Sequence, residues 1–365
     1  MMLDFYFARR FLLSFAMITA VFLSLMMLID LLEQLRKFQK IDLAIGQILR
    51  LMMLNVPGAI SQILPLIMIL SSVVMFVGLA RSSELVVTRA AGRSGIRSLV
   101  APVTVTAVIG ILAVSTLNPI VAASSNRYQQ LADTYRSDRP AALSISREGL
   151  WLRQGGARGQ SVIHARGYDP ENAVLFNVTM LSYAPDGGPV RQITADTAQL
   201  AEGAWWLKQV KIWPLEAGVN PERNASFHET LSIETTLTRE RIQNSLGRPS
   251  SVSIYDMLGT IRELSAAGFA TRQYEVWYQS ELARPLFLVA MVLVGAVFTM
   301  RHTRLGGTGI AVLTSVLLGF GLYFIRNFAR VLGENGQLPV ELAAWASPVA
   351  SILLAMGLLL HAEDG

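Results

Sequence analysis

The 365-residue sequence contains no cysteine, which excludes thiolate metal sites, thiol nucleophiles and disulfides. The compartment stays open, because disulfide-free domains also survive in oxidising surroundings. Lysine occurs only at Lys37, Lys40, Lys208 and Lys211, and none follows glycine. The chain therefore has no Gly-x-x-x-x-Gly-Lys-Ser/Thr phosphate loop, and any ATP chemistry falls to a partner. Charge is scarce as well: 16% of residues are charged and 52% hydrophobic, where soluble chains carry roughly 25% charge. Mean hydropathy is +0.43. These shortages exclude intrinsic disorder, collagen and a wholly cytosolic enzyme. The net charge of +5 comes mostly from arginine, with no basic run interleaved with aromatics such as nucleic-acid binding uses.

The charge that is present is unevenly placed. None lies in 11–29, 51–80, 98–126, 285–300 or 305–325, and His361 is the only titratable side chain in 342–361. About 20 apolar residues cross a hydrocarbon core. The pattern predicts six transmembrane helices: Phe11–Ile29, about 57–80, Leu99–Asn118, Pro285–Met300 extended backwards by Trp277 and Tyr278, Leu305–Ile325, and Leu342–Leu360. Pro57 and Pro65 are read as breaking the second run, with Ile41–Val56 an amphipathic approach. Arg9 and Arg10 before an apolar run resemble a signal peptide, but no small-x-small site precedes Asp30, so helix 1 is expected to remain. Loop arginines favour the N-terminus inside: Arg9, Arg10, Arg81, Arg89, Arg93, Arg97, Arg301 and Arg304 share one side. Both termini are then cytoplasmic, and the long insert is periplasmic.

Within the insert the period changes. Short alternating runs at Leu143–Ser146, Leu150–Leu152, Ser161–Ala165, Val174–Ser182, Val190–Ala195, Trp205–Trp213 and Ala225–Ile233 read as strands. Gly155-Gly156, Asp169-Pro170, Asp186-Gly187-Gly188 and Glu202-Gly203 punctuate them. Antiparallel strands in that density suggest a sandwich, jelly roll or open barrel. Ser253 is a candidate N-cap for an amphipathic helix with Ile254, Met257, Ile261 and Leu264 on one face. The fold class is a membrane α-helical protein with an inserted, periplasmic, jellyroll-like all-β domain. Its parts are 1–126 with helices 1–3, 127–270 with the β domain and flanking helices, and 271–365 with helices 4–6.

The segment Arg81-Ser-Ser-Glu-Leu-Val-Val-Thr-Arg-Ala-Ala-Gly92 is a self-contained two-turn helix. Ser83 reads as its N-cap, Glu84 lies in the first turn, Arg89 in the last, and Gly92 suits the C′ stop. A capped connector is the plain reading.

This string resembles the coupling helix of the LptF/LptG permease family, which exports lipopolysaccharide. Similar features recur along the chain: Asp30-Leu-Leu-Glu-Gln-Leu-Arg-Lys37 closing helix 1, Val56-Pro57 and Leu64-Pro65 at helix 2, and Asn118-Pro119 closing helix 3. Glu148-Gly-Leu-Trp151 opens the β domain, Tyr274-Glu-Val-Trp-Tyr-Gln-Ser-Glu-Leu-Ala-Arg-Pro285 leads into helix 4, and Leu338-Pro339 precedes helix 6. Gly-Leu-Trp and the helix-4 segment favour the LptG branch over LptF. The resemblance implies the non-catalytic transmembrane half of an ABC exporter in the inner membrane, serving outer membrane biogenesis. It implies an LptF-like permease partner, an LptB-like ATPase dimer that uses the ATP, and LptC-like and LptA-like periplasmic β-jellyroll proteins. No cofactor of its own and no nucleic acid are expected. Ser83, Glu84, Leu85, Val87, Arg89, Ala90 and Gly92 would couple to the ATPase, with Glu84 docking into it.

The anionic, acylated substrate calls for apolar walls with a basic rim. Arg36, Lys37 and Lys40 at the outer end of helix 1, and Arg127 past helix 3, are candidate contacts, or else headgroup anchors. Family members can carry basic residues where this chain has Asp30 and Gly58. Arg326 reads as an interhelical or snorkelling anchor. His164, His228, His302 and His361 are too scattered for a metal site. Asp30 and Glu33 lie one turn apart, and no further carboxylate is expected deep in a span, which leaves a proton relay without support. An LptF-type subunit, a lipid-modifying enzyme and a membrane scaffold are the alternative readings; the enzyme would need paired acids or a His/Asp site, which the sequence does not offer.

Overall fold

The computed structural model describes all residues except 1, 40–42, 91, 136–142, 147–148, 157–158, 170–173, 185–187, 202, 216–219, 236–247, 267–269, 301–307 and 365. Two compact units emerge: residues 1–135, 250–255 and 272–365 form one, and 136–249 with 256–271 the other.

The first unit is helical. α1 runs Met2–Lys37 and α2 Ile45–Arg81, each about 55 Å long at 1.5 Å per residue. The short α3 is Glu84–Ala90, followed by α4 (Gly95–Leu112), a π-turn at Ala113–Leu117 and α5 (Asn118–Tyr135). Among the described residues, α1, α2, the α4–α5 rod and two C-terminal helices are long and apolar enough to cross a membrane. Those last two are α9 (Thr308–Glu334) and α10 (Val340–Asp364). α7 (Arg272–Leu282) and α8 (Arg284–Thr299) meet at a 50° bend and supply a sixth span when taken together.

Three expectations need correcting. Pro57 and Pro65 do not end a helix, because α2 passes through both. Each proline removes one hydrogen bond, a loss that helices packed together in a bilayer tolerate. The segment 45–56 is therefore the outer part of α2. Asn118-Pro119 does not close helix 3 either: the Asn118 N–H reaches back five residues to the Ala113 carbonyl, and the chain continues as α5. The fifth span starts at Thr308 and runs to Glu334, nine residues beyond its expected end at Ile325; Leu305 lies outside the described residues.

Packing centres on Phe7, Phe76, Leu85, Phe287, Met291 and Leu322. Small residues set the helix spacing, as membrane packing requires. A Cβ on Gly295 of α8 would stand 2.8 Å from the Ser72 Cβ and 2.9 Å from the Ile69 carbonyl oxygen of α2. The Ser72 hydroxyl donates to the Val292 carbonyl at 2.8 Å and ties the same pair of helices, while Ser71 donates to Ile67 in its own helix.

The second unit holds one seven-stranded antiparallel sheet in sequence order: β1 (Leu143–Ser146), β2 (Gly149–Gly156), β3 (Gly159–Asp169), β4 (Val174–Tyr183), β5 (Pro189–Ala201), β6 (Ala204–Pro214) and β7 (Ser226–Glu234). Each of the seven expected runs falls on a strand, apart from Ala225, which lies one residue before β7. Each pairs with its sequence neighbour, so the insert is an up-and-down meander. The β5–β6 turn places Gly203 at φ +77, a backbone that suits glycine.

A crease crosses the sheet. Asn177 in β4 and Gln209 in β6 take left-handed φ values of 51 and 53, and pairs through both drop out of the ladder. On its two sides the buried positions switch parity: Leu175 then Val178 and Met180, Ile193 and Ala195 then Ala198, Trp205 and Leu207 then Val210. Side chains alternate faces strictly in a regular strand, so each kink inverts the pleat and keeps one face apolar throughout. The amphipathic helix follows as α6 (Ile254–Ala266). Ile254, Met257 and Leu264 are buried, and the Ser253 hydroxyl accepts from the Tyr255 N–H at 3.4 Å.

Candidate functional site

The coupling segment lies where α2 hands over to α4. α2 ends as the Ser82 N–H bonds the Gly78 carbonyl and the Ser83 N–H bonds that of Ala80. Ser83 has φ 59, so it is the left-handed C′ residue of α2 and not the extended N-cap expected of it. Its carbonyl still accepts from the Val86 and Val87 N–H groups to start α3. At the other end, the Arg93 N–H reaches the Thr88 carbonyl across Gly92 at φ +80, the glycine stop read from the sequence. Leu85 is buried in the helical core and anchors α3. Arg89 lies in the last turn. Val86, Val87 and Ala90 are exposed, Val87 by 67%.

Glu84 does not reach outward alone, as a docking carboxylate would. Tyr6 of α1 donates to Glu84 Oε2 at 2.6 Å, Ser82 donates to Oε1 at 2.8 Å, and Arg10 reaches Oε1 at 3.3 Å. Arg10 also donates to the Tyr6 hydroxyl at 2.8 Å and covers its ring. A second pair of opposite polarity, Asp4 with Arg93, joins the start of α1 to the loop before α4, and the Arg93 guanidinium stands 5.6 Å from the Phe7 ring centre. Burial works to raise the Glu84 carboxyl. The bonds from Tyr6 and Ser82 and the Arg10 charge outweigh it and hold the group below the ordinary carboxylate value. The arrangement is a clamp of two crossed charge pairs holding α3 and the loop before α4 to α1. Asp4, Tyr6, Arg10 and Arg93 were missed as site residues. The sequence signal was Asp4, Tyr6 and Arg10 standing together just before the apolar run of α1.

At the other end of the rods, Phe38, Leu51 and Ala132 form a small core that joins α1, α2 and α5. Arg36 is exposed beside it, and Lys37 is paired with Glu33 at 3.4 Å. Lys40 lies outside the described residues. Arg127 is exposed on α5, where it donates to Gln130 at 3.2 Å. The fold thus brings together the helices bearing Arg36, Lys37 and Arg127. Asp30 points elsewhere: it is buried, accepting from Asn55 at 2.6 Å and Gln34 at 3.4 Å, and Gln34 in turn accepts from Tyr128 at 3.1 Å. It is a tie among α1, α2 and α5. A Cβ at Gly58 would meet only Val121 at 3.9 Å, so packing does not demand glycine there.

The expectation of no deep carboxylate fails at Glu281. It is 2% exposed in α7, paired with Arg284 and bonded by the Asn118 amide at 3.3 Å. Its signal was the Glu281-x-x-Arg284 spacing, which places both on one helix face. Arg326 is an interhelical anchor as expected, donating to the Ser280 carbonyl at 3.3 Å with its guanidinium 4.8 Å from the Phe287 ring centre.

The family described as "Lipopolysaccharide export system permease LptF/LptG" matches residues 5–361. Among curated relatives, the "Lipopolysaccharide export system permease protein LptG" of Haemophilus influenzae is 23% identical over 351 residues, covering 92% of each chain. The protein of the same name from Escherichia coli K12 is 22% identical over 313 residues, covering 85% of this chain and 84% of its own.

Proposed function

Since the chain belongs to the LptF/LptG family of lipopolysaccharide export permeases, we propose that it is the LptG-type permease subunit of an ABC exporter. In this reading the multi-pass inner-membrane unit takes lipopolysaccharide from the membrane and passes it to a periplasmic β-jellyroll bridge. The protein itself is a non-catalytic permease component; ATP is hydrolysed by a separate LptB-like dimer, and the second permease is LptF-like. Both termini are cytoplasmic and the sheet is periplasmic, as the loop arginines direct.

The observation that carries the reading is a family match running through the helices before the insert, the insert and the helices after it. The coupling residues Ser83, Glu84, Leu85, Val87, Arg89, Ala90 and Gly92 divide by geometry. Val87 and Ala90, joined by the exposed Val86 beside them, offer the outward apolar face to the ATPase, Leu85 roots the helix, and Glu84 sets its angle through Tyr6 and Arg10. Arg36, Lys37 and Arg127 offer the basic rim for the anionic headgroup, and Lys40, outside the described residues, is assigned the same role from the sequence. Co-purification tests the proposal. A tagged chain should bring down an ABC ATPase and a second permease, and a protein that purifies alone would sink it. Within that complex Glu84→Lys should uncouple ATP hydrolysis from lipid movement, and normal coupling in the variant counts against the role of α3.

A further inference from the structure

Three helical rods of the first unit each lose a backbone hydrogen bond to a proline, at positions that side-chain contacts bring together. Proline lacks an N–H, so it frees the carbonyl four residues earlier. Pro65 frees that of Ser61 in α2, Pro119 that of Ser115 in the α4–α5 rod, and Pro285 that of Glu281 at the α7–α8 bend. These residues belong to one polar cluster. Arg284 donates to the Ser61 hydroxyl and pairs with Glu281. Glu281 accepts from Asn118, which directly follows the π-turn and is 5% exposed. Asn118 also accepts the Ile254 N–H at 2.9 Å, capping α6, and the Tyr255 hydroxyl takes the freed Ser115 carbonyl at 2.9 Å. Gly110 of α4 lies so close to Pro285 that a Cβ would stand 2.7 Å from the proline Cα. An ion pair removed from water is weak evidence for stability alone, and ionisable groups within spans mark function.

We propose that Glu281 and Arg284 are positioning residues for transport: the pin of a common hinge shared by α2, the α4–α5 rod and α7–α8. The inner halves of α2 and α4 flank α3. The outer halves lead to α5, the first residues of α6, and α7. A displacement of α3 therefore reaches the outer segments through one pinned level instead of three independent weak points. The proposal rests on the export reading above.

The test uses the whole complex with its co-purifying ATPase in lipid nanodiscs containing lipopolysaccharide. The chain lacks cysteine, so Arg97→Cys at the inner end of α4 and Gln273→Cys on α7 give this subunit two unique spin-label sites across the hinge. Electron–electron double resonance should show a distance shift between nucleotide-free and ATP-bound complexes. Glu281→Gln keeps the side-chain volume and removes the charge. It should abolish the shift and lower ATP-driven lipid transfer at least fivefold, with basal ATPase within about twofold. The swap Glu281→Arg with Arg284→Glu should restore both. Tyr255→Phe removes one exposed hydroxyl and guards against a folding defect; it should lower transfer severalfold. A wild-type response accompanied by unchanged Glu281→Gln and Tyr255→Phe complexes overturns the hinge alone. A wild-type complex in which neither distance nor transfer responds to nucleotide overturns the export reading and the hinge together.

Discussion

The helical unit and the sheet each interrupt their own repeat along one level, and they mend the interruption by different means. In the helices, the carbonyl freed by Pro119 is met by a side chain from elsewhere, Tyr255 on Ser115, and Arg326 bonds the Ser280 carbonyl beside the α7–α8 bend. Hydrocarbon offers no water to replace a lost bond, so the protein must supply the partner. In the sheet, the crease at Asn177 and Gln209 simply omits ladder pairs, and the change of pleat preserves the apolar face. Solvent sets the rule in each case. A bilayer penalises an unmet polar group, whereas a half-solvated sheet is chiefly constrained by which face stays dry.

Four substitutions, with Gly188→Ala as an open-space control, probe that contrast in falling order of effect. Trp205 is fully buried in the sheet, and Trp205→Ala should destabilise the sheet by about 3–5 kcal/mol. Limited proteolysis of the purified protein should then cut within 143–234 while leaving the helical fragments intact; simultaneous loss of both would break the separation drawn between the units. Gly295→Ala places a methyl against Ser72 and the Ile69 backbone and should cost about 1–3 kcal/mol of overpacking. Gly188→Ala, on a sheet turn with open space around it, should stay within about 0.5 kcal/mol. Equal melting shifts for the two glycine variants would refute the close helix contact.

Gln209→Gly relieves a left-handed residue and should stabilise the sheet by about 1 kcal/mol. A lowered thermal midpoint would count against the crease. The smallest effect is electrostatic. Glu84 and, in the turn before β7, Glu222 both titrate below the ordinary carboxylate value, Glu222 because of Lys211 and Trp213. A depressed folded-state value means stabilisation that is present above the unfolded value and lost as pH falls through the folded one. Protection of the α3 amides, taken relative to the intrinsic exchange rate at each pH, should therefore fall on acidification. Tyr6→Phe, which removes a bond that lowers the value, should move that onset to higher pH, and an unmoved onset would remove Tyr6 from the clamp.

Legibility followed the range of the interaction. The seven strands were readable from alternation, and the Gly92 stop from local turn chemistry, because each depends on neighbours in sequence. Glu84 was visible as a charge in a first turn, but its partners Tyr6 and Arg10 are 78 and 74 residues away. Pro57 and Pro65 looked like breaks because proline removes a helix bond; whether the rod continues depends on the helices around it. Asp30 looked like a missing headgroup contact until Asn55 and Gln34 were found beside it.

By itself, the sequence determined how the chain is divided between lipid and water, the strand count of the insert, the absence of an ATP loop, and the family. Charge density and period-two or apolar patterning act residue by residue, so they survive without a fold. Tertiary structure decided which polar groups meet: Glu84 with Tyr6 and Arg10, Glu281 with Arg284 and Asn118, and Tyr255 with the carbonyl freed by Pro119. Those choices rest on helices brought together from distant parts of the chain in a medium where an unpaired polar group is costly. No local pattern specifies which partner will arrive.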